Sequence, residues 1–395
     1  MKKFSSGFSY LLFHSLLFFT SVSAQDISLS PAQKIDDGFL FTEGPVWKDS
    51  SLLFSDINGN RIYKWSPDSG TSVFLDPAGG SNGLALNAEG KLIIAGHQSR
   101  NVTRMEDDGT LTVLADSFNN KRLNSPNDLA IKSDGSIFFT DPPWGIQANQ
   151  GELGYAGIYR LSPNGEVQLL DKTLSYPNGL AFSPDERLLY ADESVSTDRR
   201  IFVWDVVDDT TVANKRLFAN VGGPVGSLDG MKVDDEGNLF CASPMGIVVF
   251  APDGTALDTV AVPGQTTNCN WGPDQNVLYV TSGNAIYRID ITRSITEVKE
   301  DKRQGSLQKS YKLYNLYPNP FNSQTKINFY VEKSENVQIR IFDSLGKIVD
   351  EVANSNFGSG RHTLSWNSSG FSSGIYYVQL ATNSGAETKK IMLLK

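Results

Sequence analysis

The sequence predicts an all-β protein, a six-bladed β-propeller followed by a small C-terminal immunoglobulin-like β-sandwich. Three observations carry this. A phrase made of a polar opener, a short apolar stretch, a tight turn and a second apolar run recurs six times between Glu43 and Ser282. The copies follow one another at roughly 40 to 50 residues, a period that marks propellers and other repeat architectures. After residue 310 the chain changes to short alternating segments, TKINFYV, VQIRIFD, HTLSWN, GIYYVQL and TKKIMLL, separated by Gly, Ser and Asn turns, the pattern of a separate sandwich.

Taken in order, residues 1–24 read as a cleaved export signal. Lys2 and Lys3 precede the apolar run Tyr10 to Thr20, and Val22-Ser23-Ala24 offers small residues for a peptidase. That run is about eleven residues, short of the roughly 20 that span a bilayer, and no later segment is apolar enough to do so. Residues 25–299 form the propeller. Its copies open at Glu43 (EGPVWKDSSLLFSD), Asn82 (NGLALNAEGKLIIAG), Asn127 (NDLAIKSDGSIFFTD), Asn178 (NGLAFSPDERLLYAD), Asp229 (DGMKVDDEGNLFCAS) and Asn268 (NCNWGPDQNVLYVTS). Each reads as two antiparallel strands joined by a turn, the second with alternating apolar residues such as Leu188/Tyr190 or Leu278/Val280. Third and fourth strands follow most copies, as in GIYRLSPNG and VQLLD, which makes four short strands per blade. The last copy runs out of strands near Ile291, so the piece PAQKIDDG (residues 31–38) is expected to complete its blade and close the ring, leaving no long exposed sheet edge. Residues 300–310 (EDKRQGSLQKS) are polar and without apolar period, a linker, and residues 311–395 are the second domain.

The totals exclude several classes of function. The chain has 395 residues, 39% hydrophobic and 20% charged, ordinary for a folded protein, and its net charge of −9 repels phosphate backbones, so nucleic acid is not an expected partner. Its two cysteines, Cys241 and Cys269, provide no disulfide framework or CxxC metal site. They read either as a pair between neighbouring repeats or as buried apolar residues. Outside the signal segment the histidines are His97 and His362, in different domains, which excludes a histidine-built zinc site and weakens a Ser-His-Asp reading.

In a propeller the inner strand of every blade begins or ends at the central channel, so the six openers should ring one mouth. All six carry side-chain oxygen, and turn preference alone would have admitted Gly, Ser or Pro among them. Carboxylates and amide carbonyls are hard donors suited to Ca²⁺, which accepts roughly 6 to 8 oxygens in flexible geometry.

The stretch Gly96 to Ile146, with FTEGPVW, YPNGLAFSPDERLLYAD, LDGMKVDDEGNLF and NCNWGPDQNVLYVTS, resembles the gluconolactonase / senescence marker protein / luciferin-regenerating enzyme family, and within it the bacterial gluconolactonase branch. The resemblance implies a divalent metal, most often Ca²⁺ with Mg²⁺, Mn²⁺ or Zn²⁺ as alternatives, held by Glu43, Asn127, Asn178 and Asp229. It implies a lactone hydrolase acting on a sugar lactone such as gluconolactone, with Asp229 as base and Glu43 as the alternative. His97, Asn124, Asp141, Trp144, Asp192 and Glu193 are the expected substrate-binding residues around the mouth. Two other readings share the scaffold: a phosphotriesterase resembling diisopropylfluorophosphatase, and a sugar- or partner-binding propeller with structural calcium. YNLYPNPFNSQTKINF, VQIRIFDSLGKIV and SSGIYYVQL resemble a type IX secretion sorting domain. This implies the type IX machinery as a partner and secretion or cell-surface display through periplasm and outer membrane.

Overall fold

The computed structural model of the protein describes residues 25–208, 210–295, 310–314, 316, 321–343 and 346–393. The signal segment and nearly all of the expected linker lie outside them. Five four-stranded antiparallel blades and a five-stranded sixth follow in chain order, and the inner strands are Thr42–Lys48, Ser81–Leu86, Leu129–Ile131, Pro177–Phe182, Met231–Val233 and Thr266–Trp271. Contacts between successive inner strands, including the last with the first, close the ring.

The ring closes through the N-terminal residues. Gln33–Asp37 pairs with Ala285–Arg288, as the unpartnered sixth blade required, and Gln25–Leu29 adds a second pairing farther along the same strand, against Ile291–Ile295. Both ends of the propeller chain are therefore hydrogen-bonded into one sheet.

The second strand of each blade differs from the expected alternation. Leu52, Leu53 and Phe54 are all buried, as are Leu92, Ile93, Ile94 and Ala95. The reason is that a blade is sandwiched between two others, so both faces of its middle strand are covered. Leu53 packs with Leu84 and Ile94 of blade 2, whereas Leu52 and Phe54 pack with Tyr279 and Ile286 of blade 6. Likewise Leu278 and Val280 face blade 5, and Tyr279 between them faces blade 1. Successive side chains of a strand point to opposite faces, so each strand feeds two apolar seams. Cys241 and Cys269 are free, buried members of such seams.

The C-terminal domain has a three-stranded sheet (Tyr311–Leu313, Gln324–Val331, Gly360–Asn367) packed on a four-stranded one (Ile348–Phe357, Glu335–Asp343, Gly374–Thr382, Gly385–Leu393). Ile327, Phe329, Ile339, Ile341, Trp366, Val378 and Leu380 build its own core. Among the described residues the helical segments are two short 3-10 turns, Pro143–Gly145 and Ala148–Gln150. Among the described residues no helix is long and apolar enough to cross a membrane.

Candidate active site

The openers reach the channel through a repeated irregularity of the inner strand. Pairing with the second strand jumps from Glu43 to Val46, from Ser81 to Leu84, from Pro177 to Leu180 and from Thr266 to Asn268. Such bulges re-aim a side chain. In blades 3 and 5 the ladder begins just after the opener, with Asn127 and Asp229 held by backbone bonds to Thr140 and Ala242. Glycine follows four openers for want of room: a Cβ on Gly44, Gly83 or Gly179 would stand 2.2, 2.6 or 2.4 Å from the carbonyl oxygen of the next opener, and one on Gly230 2.0 Å from the Asn268 side chain. The blades touch through these backbones, as in the 2.8 Å bond from Gly83 N to Asn127 O.

The result is a cavity of about 290 Å³ at one mouth, lined by Glu43, Asn82, Asn127, Asn178 and Asp229 with Phe41, Ile57, His97, Trp144, Ser194, Ser227 and Gln265. The four expected metal ligands and both expected bases thus meet in one place. Each carboxylate is held through one oxygen. Glu43 Oε2 accepts from Gly44 N at 2.9 Å and from Asn268 Nδ2 at 3.2 Å, and Asp229 Oδ1 accepts from Asn178 Nδ2 at 2.7 Å. Glu43 Oε1 and Asp229 Oδ2 make no hydrogen bond among the described residues. Burial, opposed by the Gly44 amide and assisted by the Asp128 charge, pushes the Glu43 carboxyl up to about 7. Burial and then the Glu43 and Asp192 charges hold Asp229 well above the ordinary carboxylate range. Asn178 Oδ1 and Asn82 Oδ1 are buried without partners.

The donor set suits a hard divalent cation. Two buried carboxylates whose charged forms burial disfavours, together with an orphaned amide oxygen, are groups whose cost a cation would remove. Among the described residues no three His, Cys, Asp or Glu side chains converge on one point, because this ring carries two carboxylates and its remaining oxygens are amides.

Of the expected substrate-binding residues, His97 and Trp144 line the cavity, and Asn124, Asp141, Asp192 and Glu193 do not. The Asp141 and Glu193 carboxylates serve the backbone instead. Asp141 accepts from Asn124 N and Ser125 N at 2.8 and 2.7 Å, and Glu193 accepts from Ser175 N and Tyr176 N at 3.0 and 2.8 Å. Asp56 does the same for Leu40 N and Phe41 N at 3.1 and 2.9 Å. In each of these three blades the clamped amides lie three and two residues before the opener. The Asn124 side chain donates to the Asp141 and Tyr155 carbonyls. Asp192 is wholly buried beside the Asn178 and Gly179 backbone. Arg104 pairs with Glu106 away from the cavity.

Trp144 stacks on Tyr176 with ring centroids 5.7 Å apart and planes 6° from parallel. Sequence reasoning missed Tyr176, and also Phe41, Ser227 and Gln265 of the lining. Their signal was a constant offset, two or three residues before an opener.

Fold and site together define a class: a six-bladed propeller with a buried carboxylate-and-amide ring at one channel mouth. Residues 41–284 match the SMP-30/Gluconolactonase/LRE-like region, and residues 315–394 match the secretion system C-terminal sorting domain. The chain belongs to the SMP-30/gluconolactonase/LRE-like family, and its C-terminal domain marks it for export to the cell surface or beyond. It is 36% identical to a gluconolactonase of Zymomonas mobilis over 67% of this chain and 82% of that one. It is 26% identical to a pentonolactonase of Haloferax volcanii over 63% and 83%. Among solved structures, a gluconolactonase of Xanthomonas campestris superposes with a TM-score of 0.61 at 35% identity, covering 66% of this chain and 89% of that one. A calcium-binding protein, regucalcin, of Agrobacterium tumefaciens shares the fold at a TM-score of 0.55 and 22% identity over 66% and 94%.

Proposed function

We propose that the protein is an exported, metal-dependent lactone hydrolase that opens a sugar lactone. The observation that carries this is the pairing of Glu43 and Asp229 in one cavity, each pinned through one oxygen with the other turned free. The names of the gluconolactonase and pentonolactonase relatives agree with it. Glu43, Asn127, Asn178 and Asp229 would hold the cation. When bound, it supplies Lewis-acid polarisation of the lactone carbonyl.

The chain's own residues do the rest. Asn178 fixes the Asp229 carboxylate by its hydrogen bond to Oδ1, which leaves Oδ2 to take a proton from the attacking water. The water oxygen bonds to the carbonyl carbon, the ring C–O bond breaks, and the proton passes to the departing ring oxygen, giving a hydroxy acid. Asn268 fixes Glu43 in the same way.

The test is acid release from gluconolactone by the purified protein, with chelator and with calcium added back. Turnover should vanish on chelation and return with calcium. Asp229→Asn should lower kcat by about 100-fold or more, the range of a lost general base. Undiminished turnover after full chelation would sink the metal-dependent reading, and calcium binding without turnover of any lactone would make the propeller a binding module.

A further inference from the structure

Two arginines outside the cavity grip the segments that lead into it. Arg100 immediately precedes the third strand of blade 2 (Asn101–Met105), and Arg199 is the second residue of the third strand of blade 4 (Asp198–Val206). Among the described residues their side-chain hydrogen bonds all go to main-chain carbonyls. Arg100, 7% exposed, donates from Nε to Leu123 O at 2.7 Å and from Nη2 to Gln150 O at 3.2 Å. Arg199 donates from Nε to Val221 O at 3.0 Å and from Nη2 to Gly223 O at 3.0 Å. Its Nη1 donates to Ser196 O at 2.9 Å and to Gly226 O at 3.4 Å. A guanidinium presents its donors in a rigid planar fork, so it holds carbonyls of separate segments at a fixed spacing.

The gripped carbonyls share a place in the fold. Leu123 stands four residues before the opener Asn127, and Gly226 three before the opener Asp229. Each arginine thus belongs to one blade and holds the approach to the opener of the next. Gln150 adds the loop that carries Trp144 to the first grip. The second grip falls on a segment with Gly222, Gly223 and Gly226, and glycines have the most conformational freedom to lose. Blade 5 also lacks the carboxylate clamp. Its second strand ends on Ser243, whose Oγ donates to Gly246 O instead. The approach to Asp229 therefore leans on blade 4, through Arg199 and through the 2.6 Å bond from Ser194 Oγ to Leu228 O. Arg100 itself adopts a φ of +60°, a left-handed conformation uncommon outside glycine. A glycine there would relieve the backbone and lose the fork.

We propose that Arg100 and Arg199 are positioning residues that set Asn127 and Asp229 in the ring, each from the preceding blade. This rests on the metal-site reading of that ring. Outer partners of this kind fix where a ligand stands without touching the cation.

The experiment uses the full chain with Arg100→Met and Arg199→Met, which keep an apolar stem and remove the fork. Amide hydrogen–deuterium exchange without metal reads the positioning itself. Arg100→Met should raise exchange in residues 123–127 and 142–155 and leave 221–229 as in wild type, and Arg199→Met should do the reverse. Calcium affinity should fall by about 10-fold in each. At saturating calcium and gluconolactone, kcat should stay close to wild type in Arg100→Met and fall by about 10-fold or more in Arg199→Met, which displaces the proposed base. Should either variant fail to fold, the lysine variant, with the charge but not the fork, is measured on the same readouts. Exchange that rises throughout the propeller, or in neither segment, overturns the proposal. So does local loosening with calcium affinity unchanged, which would make the arginines structural only. Wild type that binds no calcium overturns the metal reading, and this proposal with it.

Discussion

Glu43 shows how a single side chain can carry a binding site's pH dependence. Burial raises its carboxyl from the ordinary 4.5 to about 7. In the metal-free protein the folded state therefore holds a proton that the unfolded chain has released, and stability declines as pH rises from 4.5 towards 7. Calcium needs the anion, so its affinity moves the other way and should weaken by at least about 10-fold for each pH unit below 7, more where Asp229 is also protonated. Melting temperatures in chelator across this interval, with calcium titrations at the same pH values, measure both trends. A calcium affinity that is flat between pH 5 and 7 would contradict the assignment of Glu43. The ring positions were legible because the polar opener recurs in six aligned copies. What was not legible was which oxygen of each carboxylate is free, since that depends on Asn178 and Asn268 donating across blade boundaries.

At the scale of the blade, the carboxylate that ends the second strand is a clamp. Asp56, Asp141 and Glu193 each bind two amides at a fixed distance before the opener, so they set where the ring side chains start. Asp141→Asn keeps the shape but turns one acceptor into a donor facing an N–H. It should cost about 1–3 kcal/mol in urea unfolding and weaken calcium binding through the displaced Asn127. Unchanged stability and affinity would overturn the clamp role of Asp141. From sequence alone a carboxylate near the mouth reads equally well as a sugar ligand. The strand register separates the two roles, because it places Asp141 opposite Gly157 and turns its carboxylate to the loop that precedes Asn127. The middle strands were misread for a related reason. Two-residue alternation describes a sheet with one wet face, and a blade has none at its centre.

Across the whole molecule the two domains divide the work. The cavity opens where the inner strands begin, and the C-terminal domain lies at the opposite face, against the turns that follow those strands. There Glu236 stands 3.6 Å from Lys312 and 3.8 Å from Arg361, with Arg293 of the propeller at 3.7 Å. At these distances the pairs are ionic contacts without hydrogen bonds. Each domain has a separate apolar core, and the propeller is closed by its own N-terminal strands rather than by the sandwich. Removal of residues 311–395 should therefore leave kcat and KM for the lactone unchanged and abolish only a separate calorimetric transition. Glu236→Ala in the full chain should leave both transitions in place. If the shortened chain lost turnover or calcium binding, the sandwich would be part of the catalytic unit, and export and catalysis could not be assigned to separate domains.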